Sequence, residues 1–188
     1  ARALLALSLE HRAWFELAVD FALIEQPGRS LVTPVRHVRP LQATARRFID
    51  GFPGFVTYAV KSNPDESVIE NLAAAGVQGF DVASPAEMRL IRRIAPSAAM
   101  HYNNPVRARS EILTAVELGV ASYSVDSRSE LAKLIALVPA QGTEISVRFK
   151  LPVAGAAYNF GAKFGATVEL AAELLATVAD AGFVPSLT

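Results

Sequence analysis

Tyr58-Ala59-Val60-Lys61-Ser62-Asn63-Pro64 closes an apolar, β-prone run that begins at Phe55. A lysine at the carboxyl end of a buried strand is partly desolvated, and burial disfavours its ammonium form. The neutral amine that results can condense with an aldehyde to a Schiff base, chemistry that an exposed ammonium does poorly. Taken alone, the plainer role of a strand-ending lysine that reaches solvent is the commoner one. Other polar groups fall at matching places. Asp81 interrupts the otherwise apolar Phe80-Asp81-Val82-Ala83 and is followed by Ser84 and Glu87. Asn103-Asn104, Asp126 and Arg148 each stand at or just after the end of a later apolar run. If those runs are parallel strands, the groups converge on one mouth, where such sheets place their sites. Each also has a plain alternative. Asp126 and Ser127 are better read as a helix cap than as catalytic groups. Glu87 fits a solvated first-turn carboxylate favoured by the helix dipole, and Arg148 fits a structural ion pair. Asp81 is the hardest to reduce to structure.

The elements that would carry these residues follow a regular rhythm. Strand-like segments occur at Phe55–Val60, Gln78–Val82, Ala99–Tyr102, Ala121–Val125 and Glu144–Phe149, with starts 21 to 23 residues apart. That is the length of one strand-plus-helix unit with short loops. Helical patterns fill the gaps at Glu66–Ala75, Pro85–Ile94, Arg107–Leu118 and Ser127–Leu137. Asp65, Ser84 and either Asp126 or Ser127 are expected to cap helices, and Gly76 and Gly119 to end them. A longer loop, Lys150 to Ala166, precedes a helix at Thr167–Ala181 and a sixth strand from Phe183. Ahead of the repeats, Leu4 to Ile24 reads as a helix, Thr33 to Val38 as a short strand and Leu41 to Ile49 as a helix. Consecutive β-α units imply a parallel sheet. No Gly-x-Gly-x-x-Gly or Walker-type loop supports an open nucleotide-binding sheet. The even spacing predicts an α/β fold: a partial (β/α)8 TIM barrel, about strands 1–6. Eight strands and typically about 250 residues close such a barrel, so the chain is expected to be part of a longer protein. The expected division is an N-terminal helical extension at 1–32 and the barrel portion at 33–188.

Composition narrows the function. The 188 residues carry 18 basic and 18 acidic side chains, and zero net charge argues against nucleic acid as a partner. With no cysteine there is no disulfide, thiolate nucleophile or thiolate metal site. No apolar run approaches the roughly 20 residues of a membrane span, and the N-terminus has no clear signal-peptide pattern. The three histidines, His11, His37 and His101, lack ligand spacing and read as structural or surface residues. No metal cluster and no Ser-His-Asp arrangement is visible.

Five motifs occur in order: Tyr58-Ala59-Val60-Lys61-Ser62-Asn63-Pro64; Gly79-Phe80-Asp81-Val82-Ala83-Ser84-Pro85-Ala86-Glu87; Tyr102-Asn103-Asn104-Pro105; Val147-Arg148-Phe149; and Gly161-Ala162-Lys163-Phe164-Gly165. Together they resemble the ornithine/diaminopimelate/arginine decarboxylase group of alanine-racemase-fold enzymes, which depend on pyridoxal 5'-phosphate (PLP), and look nearest to its ornithine decarboxylases. The resemblance runs from about Thr33 to Leu187. It implies a barrel of the alanine racemase type, a homodimer with sites at the subunit interface, and PLP as cofactor. Lys61 matches the lysine that holds PLP covalently. Asp81 and Glu87 match acidic residues near that lysine and the cofactor, and Arg148 matches an arginine lining the cofactor site. Lys163 matches an interface lysine.

The activity so implied is decarboxylation of a basic, ornithine-like amino acid to a polyamine precursor by a cytoplasmic enzyme acting on a small molecule, with no nucleic-acid or membrane partner. Alternatives are a decarboxylase of diaminopimelate or carboxynorspermidine, or a non-catalytic decarboxylase-like regulator or PLP carrier. The family's cofactor-stacking histidine, glycine-rich phosphate loop and C-terminal β-domain have no counterpart in the sequence. The chain by itself is therefore expected to be inactive, and the full-length protein active.

Overall fold

The computed structural model describes residues 38–150 and 164–188. The expected helix at 4–24, the first residues of the expected strand at 33–38, both His11 and His37, most of the long loop, and Lys163 lie outside them. The described chain divides into two compact units at Ala99–Met100.

The first unit holds helix α1 (Val38–Gly51), strand β1 (Thr57–Ala59), helix α2 (Glu66–Ala74), strand β2 (Gly79–Val82) and helix α3 (Pro85–Ile94). Its strands are parallel, with Thr57 level with Gly79, Tyr58 with Phe80 and Ala59 with Asp81. β1 is shorter than the sequence pattern suggested. Val60 leaves the ladder and opens a single 3-10 turn, Val60–Ser62. Gly79 begins β2 because nothing larger fits: a Cβ there would lie 2.2 Å from the Phe55 ring and 2.9 Å from Thr57 Cγ2. Helix starts follow their caps. The Asp65 side chain accepts from Ser67 N–H, and Ser84 accepts from Glu87 N–H with Pro85 in the first turn. Ile69, Phe80, Met88 and Ile91 are completely buried. Each such side chain contributes roughly 1.5–3 kcal/mol of burial free energy.

The second unit carries the rest of β3 (Ala99–Tyr102), then α4 (Arg109–Glu117), β4 (Ser122–Val125), α5 (Arg128–Leu137), β5 (Glu144–Val147), α6 (Val168–Asp180) and β6 (Val184–Leu187). β3 through β6 pair in parallel and in chain order. Register sorts their residues by the period of two. One face carries Tyr102, Tyr123, Val125, Ile145 and Val147, all completely buried, as are the helix residues Ile112, Leu131, Leu134 and Val178. The other face carries His101, Ser122, Ser124, Glu144 and Ser146, polar yet largely buried. β5 ends at Val147, two residues earlier than predicted, although Phe149 still bridges Ala166. Every strand and helix expected from Phe55 onward is present; Pro85–Ile94 and Ala99–Tyr102 have the expected bounds, and the others have shifted ends.

Candidate functional site

In the first unit the site is built where β1 and β2 end. Register sets Asp81 level with Ala59, so Asp81 and Lys61 stand at the same carboxyl end of paired strands. Asp81 is 7% exposed between Phe80 and Val82, which are 0% and 1% exposed. A carboxylate in that setting is costly unless a hydrogen bond or a cation compensates it. Lys61 departs from expectation. It is exposed rather than desolvated, because the strand stops at Ala59 and the 3-10 turn carries the side chain beyond the sheet. The backbone around it is well held. Tyr58 Oη donates to Asn63 O at 3.3 Å, and Asn63 Oδ1 accepts from Asp65 N–H at 3.1 Å. Asp65 Oδ1 in turn accepts from Ser67 N–H at 2.9 Å. Burial raises the Tyr58 phenol above its usual value, partly offset by its bond to Asn63.

Glu87 is not a solvated first-turn carboxylate. It is half-buried, and its Oε2 accepts from Ala83 N–H at 2.7 Å while its own N–H donates to Ser84 Oγ at 3.3 Å. This reciprocal pairing is close to a capping box, and it fixes the β2–α3 turn immediately after Asp81.

Arg148 belongs to the second unit. Its N–H donates to Val125 O and its carbonyl accepts from Ala166 N–H, both at 2.8 Å. The ion pair predicted for it is not formed among the described residues. Its guanidinium lies instead 5.7 Å from the centre of the Phe164 ring, a cation–π distance. Asp126 is not the cap it was expected to be. Its Oδ2 accepts from Gly165 N–H at 3.0 Å, and Ser127 makes no capping bond either.

Sequence reasoning missed the interior of this second unit. His101 is 5% exposed, with Nδ1 against Ser122 Oγ and Nε2 3.0 Å from Ser124 Oγ. Ser124 Oγ donates to Asn103 Oδ1 at 2.7 Å, and Ser122 Oγ donates to Glu144 Oε2 at 3.1 Å. Burial, with the Arg107 cation next, pulls the imidazole pKa down to about 4, against a raising bond to Asn103 and with a further lowering by Arg148. Two influences on the ring oppose each other. The serine hydrogens are directed to Asn103 and Glu144, which leaves lone pairs facing the ring and favours imidazolium. Burial favours the neutral form. The neutral form prevails, since turning the Asn103 amide lets Ser124 donate to the ring at little cost, whereas an unneutralised buried cation is far more expensive. Arg107, also unforeseen, is 3% exposed and lies 4.8 Å from the Tyr102 ring centre and 5.7 Å from that of Tyr123. Burial lowers its pKa to about 10, against Tyr102 and Glu130. The period-two alternation of Ser122-Tyr123-Ser124 was the available signal for a polar strand face. Among the described residues no group of three or more His, Cys, Asp or Glu is placed to hold a metal ion, and no helix is long and apolar enough to cross a membrane.

The geometry is that of an α/β protein with polar groups placed at the carboxyl ends of its parallel strands in each unit. A family model described as pyridoxal-dependent decarboxylase, pyridoxal binding domain, matches residues 36–183. The chain belongs to this family. It is 35% identical over 128 residues to a lysine/ornithine decarboxylase of Selenomonas ruminantium, covering 68% of this chain and 32% of that protein. The fold matches the arginine decarboxylase of Paramecium bursaria Chlorella virus with a TM-score of 0.69 and 25% identity, over 80% of this chain and 42% of that one. An SrLDC variant solved in complex with PLP gives a TM-score of 0.69 and 28% identity, over 94% of this chain and 45% of that one. The β-α repeats are thus the partial (β/α)8 barrel read from the sequence. The chain spans about a third of the length of the Selenomonas relative.

Proposed function

We propose that the full-length protein binds PLP through Lys61 and decarboxylates a basic, ornithine-like amino acid to a polyamine precursor. The observation that carries this reading is the family match over 36–183, with Lys61 and Asp81 at the same carboxyl end of paired strands. The residues present fit the group. An exposed amine on a braced turn is accessible to an aldehyde, and a buried carboxylate level with Ala59, two residues before the lysine, is suited to hold that amine in its charged form between bonds. PLP, when bound, supplies a ring that accepts the electrons left behind as carbon dioxide departs.

In this reading Lys61 anchors the cofactor and, once released, moves a proton at its Nζ. Asp81 steers that ammonium. Glu87 keeps the β2–α3 turn in place beside the cofactor, and Arg148 lines the cofactor site from the strand-five end. The relatives named for lysine, ornithine and arginine favour a substrate with a second basic group. The reading includes a cytoplasmic homodimer, a boundary near residue 33 between an N-terminal helical extension and the barrel, and no nucleic-acid or membrane partner. Zero net charge and the start of the family match at residue 36 support the last two points.

The test is direct. PLP is added to the full-length protein, borohydride is used to trap the adduct, and carbon dioxide release is measured from a panel of diamino acids. Trapping at Lys61 with release from ornithine or lysine is expected. A full-length Lys61→Ala variant that decarboxylated as well as the parent would refute the reading.

A further inference from the structure

We propose that Asp126 is a positioning residue for Arg148: by anchoring Gly165 it holds the Phe164 ring over the guanidinium. The proposal rests on the reading of Arg148 as a group that lines the PLP site.

Three observations meet here. First, the segment at 164–166 returns to the end of β5 and joins it as a short parallel addition. Ala166 N–H donates to Arg148 O, and Lys150 N–H donates to Ala166 O, each at 2.8 Å. Those bonds fix Ala166 but leave Gly165 outside the ladder. Its N–H is taken by Asp126 Oδ2 at 3.0 Å, across 39 positions of sequence. A carboxylate that accepts a backbone N–H makes a charge-assisted bond, stronger than a neutral one.

Second, position 165 accepts only glycine. Its φ is +105°, and a Cβ would meet Lys150 Cγ at 3.0 Å, Phe149 C at 3.1 Å and Lys150 N at 3.2 Å. The close approach of the segment to β5 therefore depends on the missing side chain, and Asp126 secures the residue that makes the approach.

Third, Phe164 is 40% exposed, yet its ring centre lies 5.7 Å from Arg148 Cζ. The ring is only partly covered, so burial alone does not account for its placement. What it provides is a flat surface on which a long, flexible cation rests. An arginine ordered before its ligand arrives surrenders less entropy on binding. Asp126 lies at the end of β4, next to Val125, whose carbonyl accepts from Arg148 N–H at 2.8 Å. The Asp126 carboxylate thus ties the end of β4 to the returning segment, while backbone bonds join both to the end of β5.

The experiment measures PLP affinity of the full-length protein from the absorbance of bound PLP, for the parent and for Asp126→Ala, Asp126→Asn, Phe164→Leu, Arg148→Met and the double variant Asp126→Ala/Arg148→Met. Asp126→Ala is expected to weaken PLP binding about tenfold, one lost charge-assisted bond's worth of positioning. Asp126→Asn keeps an acceptor oxygen for Gly165 N–H and should stay near the parent. Phe164→Leu should weaken binding severalfold, and its exposed position keeps the test usable should Asp126→Ala fail to fold. In the Arg148→Met background Asp126→Ala should add little, because residues acting as one unit are not additive. Equal weakening in both backgrounds, or parent-like affinity for both Asp126→Ala and Phe164→Leu while Arg148→Met binds weakly, overturns the positioning role and leaves the reading of Arg148 standing. Parent-like affinity for Arg148→Met overturns that reading instead.

Discussion

His101 makes the fold acid-sensitive in a window that can be calculated. In the unfolded chain its imidazole titrates at the ordinary 6.5, and in the fold at about 4. As pH falls from about 7.5 to about 5, the unfolded state takes up a proton that the folded state refuses, so unfolding becomes easier. Integrating the proton difference gives a loss of about 2 kcal/mol over that range, rising to about 3 kcal/mol near pH 4. Below that the folded ring protonates too, and the loss levels off. Arg107 and Arg148 reinforce the neutral form, Asn103 opposes it, and Glu144 meets the ring only through Ser122. The exposed carboxylates with lowered values, Asp65, Glu66, Glu169 and Glu173, lose their contributions only nearer and below their ordinary values of 3.8 and 4.5. The upper part of the window is therefore largely clear of them. Urea unfolding of the parent and of His101→Gln at several pH values reads the effect. With an m-value of about 2 kcal/mol per molar, the parent's midpoint should drop by about 1 M between the two ends. Whatever its stability at neutral pH, the variant's midpoint should change far less with pH. Parallel curves for parent and variant would show that the imidazole is not held neutral by the fold, and the account of the polar strand face would be wrong.

Other perturbations have equally definite outcomes. Gly79→Ala pushes a methyl into the Phe55 ring and Thr57; a loss of about 1–3 kcal/mol is expected by denaturant unfolding. Asp65→Ala removes the cap of α2 and should cost about 1 kcal/mol by the same assay, with α2 amides exchanging faster. Lys61→Ala should abolish borohydride trapping of PLP while leaving the unfolding free energy within about 0.5 kcal/mol of the parent, since the side chain is exposed. Breaking the exposed Arg93–Glu66 pair, 2.6 Å apart and joining α3 to α2, should leave thermal unfolding unchanged.

The elements were legible because their signals are local. Proline, glycine and capping residues mark helix ends, and the 21- to 23-residue rhythm marks the repeats. Where a strand stopped was less legible, since leaving a ladder depends on the neighbour. Val60 has the composition of a strand residue but turns away one position before Lys61. Lys61 was accordingly expected to be desolvated and is exposed. Asp81 was singled out because it interrupts an apolar run, and its burial in β2 agrees with that pattern. Glu87 and Asp126 were read from their helix positions. Their actual partners, Ala83 N–H and Gly165 N–H, are set by the fold: the first lies in the preceding turn, and the second 39 residues away. His101 was read only as a structural or surface histidine and Arg107 was not singled out, because their burial and partners are tertiary facts. A lone histidine carries no spacing, and an arginine in a polar stretch looks solvated until two tyrosines are found against it.

The turn that bears Lys61 joins two opposite mechanical properties. Its side chain is long and open to water, whereas the chain beneath it is clamped by a tyrosine hydroxyl on one side and an aspartate-capped helix on the other. In the role proposed for Lys61, an amine that releases a bound partner and recaptures it needs reach and a fixed pivot. The hydroxyl of Tyr58 and the carboxylate of Asp65 brace that pivot, so under the proposed role a change at either would loosen the turn while leaving the amine itself intact.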